Sequence, residues 1–292
     1  MLGLKQFKVL FVLFISLALL AACGSDSNTN GNKENNEGEN KWAEIQKSGK
    51  IIVGTSGTLI AASYYDGEEE TEDQLTGYEV ETMREIAKRL DLDIEFEIIG
   101  VDNVMPGIKS GRIDISSATI TDKRKEDFDF SEPYNYSYIT MAVRESDNSG
   151  IESLEDLAGK KAGGGATTIY SQIAEQFGAE VITYGNAPNE AYLRDVSDGT
   201  TDVVINDYYL TKFGVAAFPE FDLHLHPTLN FHLTETGVML PKGEDELREK
   251  INEALEEMRE DGTLSELAIK FYEEDSSVLP DKDIVEIDDL DI

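Results

Sequence analysis

The sequence predicts an α/β fold arranged as two lobes. Apolar, β-branched runs typical of strands alternate with segments whose apolar residues recur at helical spacing. After an isolated strand at 138–143 the alternation starts afresh, which indicates a second α/β unit. Beyond its N-terminal segment the chain has about 250 residues, enough for one large domain or two smaller ones.

The elements of the first unit follow from apolar periodicity. Residues 51–55 are apolar and β-branched, as in a buried strand, and Met83, Ile86 and Leu90 share one helix face. Pro106 limits the helix in which it lies. The predicted elements are, in order, strand 51–55, helix 79–90, strand 94–99, a short helix 102–110 and strand 113–116.

The second unit is predicted in the same way, and the chain then returns to the first. Its predicted elements are helix 153–157, strand 161–164, helix 168–177, strand 181–184, helix 189–198, strand 202–206, helix 207–217 and strand 223–225. After them come strand 237–240 and helices 245–260 and 263–271.

Strands 138–143 and 237–240 are predicted to be the two hinge crossovers between the lobes. Lobe 1 is then discontinuous (41–140 plus 236–275), and lobe 2 is the insert (141–235). Ligands of open α/β sheets bind beyond the carboxyl ends of the strands, so we expect the lobes to face each other across a cleft. Such a cleft closes by hinge motion.

The first 22 residues predict an exported protein. Lys5 and Lys8 precede an apolar run at 9–20, which is shorter than the ~20 residues of a membrane span and fits a signal peptide. The Leu-Ala-Ala-Cys that ends at Cys23 resembles a bacterial lipobox, which implies a signal peptide over 1–22 and lipidation of Cys23. The alternative is a cysteine without a role. Cys23 is the only cysteine, so no internal disulfide is expected.

Both ends of the mature chain are polar. Residues 24–40 contain no hydrophobic side chain, so we predict a flexible tether over 23–40 that holds the folded part away from the membrane. A plain linker is the alternative. The acidic tail at 276–292 is expected to fray.

The chain is strongly acidic. It has 59 Asp and Glu against 25 Lys and Arg, a net charge of −34, and the predicted signal peptide carries two of the lysines and no acid. This charge argues against nucleic acid and anionic lipid surfaces as direct partners of the folded part. A solubilising surface and adaptation to a saline or alkaline exterior both stay open.

The segment 111–134 predicts a site for a carboxylate. A short strand ends in a hydroxyl-rich loop with Ser117, Thr119 and Thr121, and a basic turn with Arg124 follows. A guanidinium binds both oxygens of a carboxylate, and hydroxyls donate the remaining hydrogen bonds. This segment, GRIDISSATITDKRKEDFDFSEPY, resembles the signature of the family 3 solute-binding proteins, the polar amino-acid receptors of ABC importers.

The resemblance extends over about 54–272. It includes Gly-Tyr-Glu-Val-Glu at 77–81, Leu-Glu-Asp-Leu-Ala-Gly-Lys at 154–160 and Asp-Gly-Thr-Leu at 261–264. It implies a periplasmic-binding-protein-like fold with two lobes and an amino acid as ligand. Arg124 matches the family's arginine for the ligand α-carboxylate, and Thr119 and Ser117 match positions that add bonds to it. The alternatives are a surface ion pair of Arg124 with Glu126 or Asp127, and capping or strand roles for the threonines.

Lobe 2 supplies further candidates. A glycine-rich turn at 163–168 lies between a strand and a helix, where backbone amides reach an anion. Thr167 is the predicted second contact to the ligand carboxylate. Thr168 is predicted to be the N-cap of the following helix and to line the site. Ala166 occupies a position where the family often has glycine. Asp207 matches the family's aspartate for the ligand ammonium, and it can also be the N-cap of the next helix.

The side-chain pocket departs from the family pattern. Many members have an aromatic-x-Pro-aromatic segment where this chain has 58–62, which reads Thr-Leu-Ile-Ala-Ala. Thr58 is the ligand-binding candidate in this segment. Tyr64, Tyr65 and Tyr208 are candidates for replacement rings, and core or rim packing is the alternative for each.

Other functions find less support in the sequence. His224, His226 and His232 lie within nine residues, but a metal site needs further ligands, so neither metal nor cofactor is expected. An enzyme of the prephenate/arogenate dehydratase type has a similar fold, but no motif here picks out its cleft acid. A signalling receptor that acts through a partner is the other alternative.

We therefore expect a lipid-anchored binding protein at the extracytoplasmic face of the cell membrane. It would be a monomer that binds a polar or sulfur-containing amino acid, with cystine as a candidate, and it would deliver this ligand to the membrane permease of an ABC importer.

Overall fold

In the computed structural model, strands and helices alternate between Lys41 and Tyr272, as the sequence predicts. The structure describes residues 40–67, 69–185, 187–282, 284–287, 290 and 292, and Glu39–Ile292 is one compact unit. The strands are β1 (Lys50–Thr55), β2 (Thr58–Leu59), β3 (Ser63–Tyr65), β4 (Leu75–Thr76), β5 (Asp93–Ile98), β6 (Ile115–Thr119), β7 (Phe128–Phe130), β8 (Asn135–Arg144), β9 (Lys161–Gly164), β10 (Glu180–Thr183), β11 (Val204–Asp207), β12 (Leu223–Leu225) and β13 (Phe231–Pro241). The helices are α1 (Lys41–Ser48), α2 (Tyr78–Arg89), α3 (Val104–Lys109), α4 (Asp122–Asp127), α5 (Ile169–Gln176), α6 (Asn189–Ser197), α7 (Tyr208–Ala217), α8 (Asp245–Glu260) and α9 (Thr263–Tyr272).

The predicted signal peptide, Cys23 and the tether up to residue 39 lie outside the described residues. The described chain starts at Asn40, whose side-chain oxygen accepts the Ala43 N–H at 2.8 Å and so caps α1. Among the described helices, none combines the length and the apolar character that a membrane crossing requires.

The main sheet brings several strand ends to one edge. Its strand order is β11-β8-β13-β6-β1-β5, with β12 beside β8 and β7 beside β13. Strand β1 is parallel to β5 and β6, so their carboxyl ends, at Thr55, Ile98 and Thr119, lie on the same side of the sheet.

The two predicted crossovers are longer than the sequence indicated. Strand β8 pairs with β13 through 135–139 and with β11 through 139–142, so it passes from one partner to the other at Ile139. Strand β13 has a register shift between Phe231 and Leu233, where His232 has a φ of 50°. The predicted strands are too short because the residues beside their apolar stretches are polar, and the sequence does not show that these residues also pair.

Two large hydrophobic cores include residues of these strands. The first core contains Tyr78 and Met83 of α2 and Leu255 of α8, and the second contains Met141 and Ile173. Helix α7 departs from a simple division of the chain, because its Tyr209 packs in the first core although α7 lies within the predicted lobe 2. The lobe boundaries at 140 and 236 stay a prediction.

Described residues of the C-terminal segment contact both long strands, and the expected fraying of 276–292 stays a prediction. The Ser276 carbonyl accepts the Tyr136 N–H at 2.7 Å, and Lys282 Nζ lies 2.7 Å from the Tyr138 hydroxyl. Farther on, Val285 pairs with Phe231. These polar and backbone contacts with β8 and β13 could not be read from the acidic composition of the segment.

Candidate functional site

A cavity lies at the carboxyl ends of β1 and β6, and its lining includes Tyr272 of the first core and Ile169 of the second. It has a volume of about 150 Å³, and a second cavity of about 390 Å³ shares part of its lining. The residues that line both cavities are Ser56, Leu59, Val101, Thr168, Tyr170 and Leu210.

The hydroxyls of β6 line the smaller cavity. The Ser116 hydroxyl donates to the Gly54 carbonyl of β1 at 2.8 Å and is fixed within the sheet. The Ser117 hydroxyl lies 2.6 Å from the Tyr134 hydroxyl and lines the cavity together with Thr119. Most of the predicted hydroxyl loop is therefore the last part of β6, where Ser117 and Thr119 line the cavity, whereas Thr121 lies beyond the strand.

Arg124 reaches across the cavity to the second half of the molecule. Helix α4 begins at Asp122, and its N-cap Thr121 accepts the Arg124 N–H at 3.2 Å, as predicted. The guanidinium donates from Nη1 to the Thr119 carbonyl at 2.9 Å and from Nη2 to the Thr167 carbonyl at 3.3 Å. Burial lowers the pKa of Arg124, but an arginine keeps its charge in proteins.

The surface ion pair considered for Arg124 does not form with Asp127. The carboxylate of Asp127 binds Lys109 Nζ at 2.7 Å on the surface. Arg124 lines the cavity instead, and its guanidinium donates to two carbonyl oxygens of residues that also line it.

The glycine-rich turn after β9 binds the carboxylate of Asp102, a residue of the protein itself. Asp102 accepts the Thr167 N–H and the Thr167 hydroxyl, each at 2.9 Å, and the Ala166 N–H at 3.3 Å. A Cβ at Gly165 would lie 3.1 Å from Val101 Cγ2, so glycine allows this close approach. The amides predicted to bind a ligand are thus held by Asp102 in this structure.

Thr168 and Asp207 combine capping with a place in the cavity wall. Thr168 is the N-cap of α5, where its hydroxyl oxygen accepts the Ser171 N–H at 3.2 Å. Asp207 is the N-cap of α7 and accepts the N–H groups of Tyr209 at 2.8 Å and Leu210 at 3.2 Å. Both residues also line the cavity, so the two interpretations of each residue are compatible.

Burial sets the electrostatic state of Asp207. Its side chain is 8% exposed, and burial raises the pKa of Asp207 to about 6, while the N–H donors of its cap act in the opposite direction. A carboxylate kept in such a place is ionised at neutral pH but lacks water, so it favours a cationic partner.

Thr58 lies apart from the other candidates. It belongs to the small sheet β2-β3-β4 and lines the larger cavity together with Tyr65. Tyr64 packs on the first core, and Tyr208 stacks on Tyr138 with 4.6 Å between ring centroids. Of the three tyrosines considered as replacement rings, only Tyr65 therefore lines a described cavity.

Several cavity residues were not identified from the sequence. Tyr170 of α5, Tyr272 of α9, Asn135 of β8 and Glu79 of α2 line the smaller cavity. In the sequence, Glu79 stands out only as part of the family motif at 77–81. Its signal was a carboxylate in the first turn of a helix, which by itself is ordinary.

The histidines have structural partners. His226 is buried, with Nε2 at 2.9 Å from the Ile151 carbonyl, and its Nδ1 accepts the Leu229 N–H at 3.0 Å. His224 Nε2 lies 2.9 Å from the side-chain oxygen of Asn148. Within the described part of the chain, no group of three or more potential ligands is placed to hold a metal ion.

This fold and cavity agree with one family of binding proteins. Residues 51–274 match the family described as "Bacterial extracellular solute-binding proteins, family 3". The match covers more than half of the 292 residues, and the chain belongs to this family. The predicted α/β fold class and the predicted family are both confirmed.

The individual relatives are binding proteins. The probable ABC transporter extracellular-binding protein YckB of Bacillus subtilis (strain 168) is 44% identical over 273 residues, which cover 92% of this chain and 93% of YckB. The crystal structure of YckB matches with a TM-score of 0.66 at 45% identity, over 85% of this chain and 99% of that one. The L-cystine-binding protein TcyA of the same organism is 35% identical over 276 residues, which cover 92% of this chain and 99% of TcyA.

A solved structure of an ancestral arginine-binding protein bound to arginine is also similar. It has a TM-score of 0.68 at 32% identity and covers 77% of this chain and 98% of that one. The protein is therefore an extracellular solute-binding protein and not an enzyme, which sets aside the dehydratase alternative.

Proposed function

We propose that this protein is the amino-acid receptor of an ABC importer, with a polar or sulfur-containing amino acid as ligand and L-cystine as the first candidate. The observation that carries the proposal is the position of Arg124 and Asp207. These two opposite charges line one cavity, and they come from different elements of the fold.

A free amino acid matches this pair of charges. Its carboxylate and its ammonium are attached to one carbon, so one small molecule can satisfy the guanidinium and the aspartate together. A ligand that lacks either group leaves a buried charge without a partner, which costs about 2–5 kcal/mol. Because Arg124 also contacts Thr167 across the cavity, the bound ligand would favour the closed arrangement by differential affinity.

The shape of the site supports a long ligand. L-cystine has an amino-acid group at each end, and the smaller cavity shares six lining residues with the larger one. One end group would lie between Arg124 and Asp207, and the rest of the ligand would extend into the larger cavity. The relative TcyA, named as an L-cystine-binding protein, is similar over nearly all of this chain.

The proposal includes the means of delivery. Cys23 would carry the lipid that anchors the protein to the outer face of the cell membrane, and residues 23–40 would be the tether. The partner would be a membrane permease, in agreement with the description of YckB as an ABC transporter extracellular-binding protein.

A thermal-shift screen of Glu39–Ile292 tests the proposal. The twenty L-amino acids, L-cystine, D-cystine and prephenate are each compared with buffer. Ligand in excess of its Kd stabilises the folded state by mass action, about 2.7 kcal/mol at 100 times Kd, so L-cystine should raise the Tm by several degrees and D-cystine should not. A shift with prephenate and with none of the amino acids would contradict the proposal.

A further inference from the structure

Glu79 gives the smaller cavity a second carboxylate that the proposed binding of a zwitterion does not use. The charged residues that line this cavity are Glu79, Arg124 and Asp207, two acids and one base. Glu79 lies in the first turn of α2, and Asp207 caps α7, so the two carboxylates come from different helices. One zwitterion bound between Arg124 and Asp207 leaves the carboxylate of Glu79 without a ligand group of opposite charge.

Glu79 and Asp207 line the same cavity, and the charge of Asp207 acts on Glu79. Burial is the main cause that raises the pKa of Glu79, the Ser117 hydroxyl acts in the opposite direction, and the charge of Asp207 adds a smaller upward effect; together they bring the pKa to about 7. Two carboxylates that share a dry site do not both ionise easily, and their protons come off as a pair. The raised pKa of Glu79 favours its protonated form in the ligand-free site near neutral pH.

The other titratable groups around Glu79 do not supply a cation. Tyr134, before β8, and Tyr272 of α9 both interact with Glu79, and burial raises the pKa of each well above its ordinary value. Tyr170 of α5 interacts with Asp207, Arg124 and Glu79, and burial raises its pKa as well. These phenols stay neutral and add no further negative charge. Arg124 is the cationic residue of the described cavity lining.

We propose that Glu79 is a second acceptor for the ammonium of the ligand, beside Asp207, and that ligand binding expels the proton held by this pair. The inference rests on the proposed function, because it requires a ligand with an ammonium group. A cation between the two carboxylates removes their mutual repulsion and allows both to ionise. Binding is then linked to proton release, and acid competes with the ligand for the same site.

The sign of the pH dependence follows from this competition. The bound state needs both carboxylates ionised, and the free protein takes up protons as the pH falls through about 7 and then about 6. Affinity should therefore fall about fivefold between pH 8 and pH 6.5, and binding at pH 7 should release about half a proton. Glu79→Gln keeps the shape and removes the titrating group, so its affinity should change less than about twofold over this range.

The experiment uses the full chain in a mild detergent with L-cystine as the probe, and L-arginine as a second probe. Calorimetric titrations at pH 8, 7 and 6.5, in buffers with different ionisation enthalpies, give the Kd and the number of protons released. Glu81→Gln is the matched control. Glu81 lies two positions along the same helix, and its carboxylate binds Arg84 Nη1 at 2.6 Å and the Thr76 hydroxyl at 2.9 Å, outside the cavity lining.

Support for the proposal is proton release by the wild type and by Glu81→Gln, together with its loss in Glu79→Gln. If Glu79→Gln does not fold, Glu79→Asp replaces it; this variant should still release protons while binding at least about threefold more weakly. Equal release by the wild type and Glu79→Gln overturns the assignment of Glu79 and leaves the proposed function intact. Absence of binding by the wild type for every amino acid of the screen overturns both.

Discussion

At the scale of single residues, the main charges of the site are also structural groups. Arg124 donates to the carbonyls of Thr119 and Thr167, and Asp207 caps α7 while it lines the cavity. Truncation to alanine would mix the two roles. Variants that keep the structural role and change the charge are therefore more informative.

Asp207→Asn separates the cap from the charge. Asparagine caps a helix as well as aspartate does, whereas alanine costs about 0.5–2 kcal/mol at such a position. We expect Asp207→Asn to keep the fold and to weaken amino-acid binding by at least about 30-fold, since about 2 kcal/mol or more is lost when one of two paired buried charges is removed. Calorimetry for the Kd and thermal unfolding for stability check both parts.

The stability of Asp207→Asn should also depend on pH in a definite direction. The pKa of Asp207 in the folded protein, about 6, is raised above its ordinary value of 3.8, so the wild type loses stability as the pH rises between these values. Asparagine does not titrate. Its Tm relative to the wild type should therefore be higher at pH 7 than at pH 4, and the opposite trend would contradict a buried, ionised Asp207.

Arg124→Lys tests the geometry of the cationic side of the cavity. Lysine keeps the charge but cannot bind a carboxylate with a planar pair of donors, so affinity should fall at least about tenfold, and Arg124→Ala should lose still more. The control is Arg112→Ala, because Arg112 is 56% exposed and pairs with Glu97 on the surface. Equal loss in Arg112→Ala would mean that the effect is not specific to the cavity.

The sequence revealed some of these residues and not others. Arg124 and Asp207 lie within recognisable motifs at strand ends, and the structure brings both to one cavity. Glu79 and Asp102 become neighbours of the site only when α2 and the loop after β5 are placed in three dimensions. A single acid in a helical turn or a loop has many ordinary roles, so its type alone carries little information.

At the scale of elements, the turn after β9 is connected to the opposite side of the cavity by Asp102. Three hydrogen bonds join Asp102 to residues 166 and 167, and Arg124 Nη2 donates to the Thr167 carbonyl. All of these contacts connect residues of predicted lobe 1 with residues of predicted lobe 2. They would stabilise a closed arrangement whether or not a ligand is bound.

Asp102→Ala should therefore weaken binding without touching the charges of the cavity. Hydrogen bonds to a charged group contribute about 1.5–3 kcal/mol, so loss of this contact should reduce the closed population and weaken apparent affinity by about tenfold. Small-angle scattering of the ligand-free variant should show a larger radius of gyration. Asp122→Ala is the control, because the Asp122 side chain is 99% exposed; an unchanged Kd and radius in Asp102→Ala would rule out this role.

Element type was predicted better than element extent. Helix α5 and its cap at Thr168 were predicted within one residue, because an amphipathic pattern and a capping residue agree. The sheet β2-β3-β4 was not predicted, since its strands have only two or three residues. The full length of β13 was also missed, because most of its residues before Gly237 are polar although they pair with β8.

At the scale of the whole molecule, the excess of acids acts against the compact state. The chain has 59 acidic and 25 basic residues, and pairs such as Lys50–Glu95 and Arg89–Asp261 engage only some of the acids. Remaining negative charges repel one another over a distance set by ionic strength, about 10 Å at 0.1 M and 3 Å at 1 M. Folding brings these charges closer together, so the native state carries more of the repulsion.

Stability should consequently rise with salt. Between 20 mM and 1 M NaCl, the Tm of Glu39–Ile292 should increase by at least about 3 °C, which corresponds to ~1 kcal/mol for a chain of this size. The matched variant is Glu256→Gln with Glu260→Gln, which removes two exposed acids near the C-terminal end of α8, where negative charge is also unfavourable to the helix dipole. In 20 mM NaCl this variant should be more stable than the wild type, and its gain from salt should be smaller. A Tm that stays constant over this salt range, in both proteins, would show that ion pairs within the fold already balance the acidic surface.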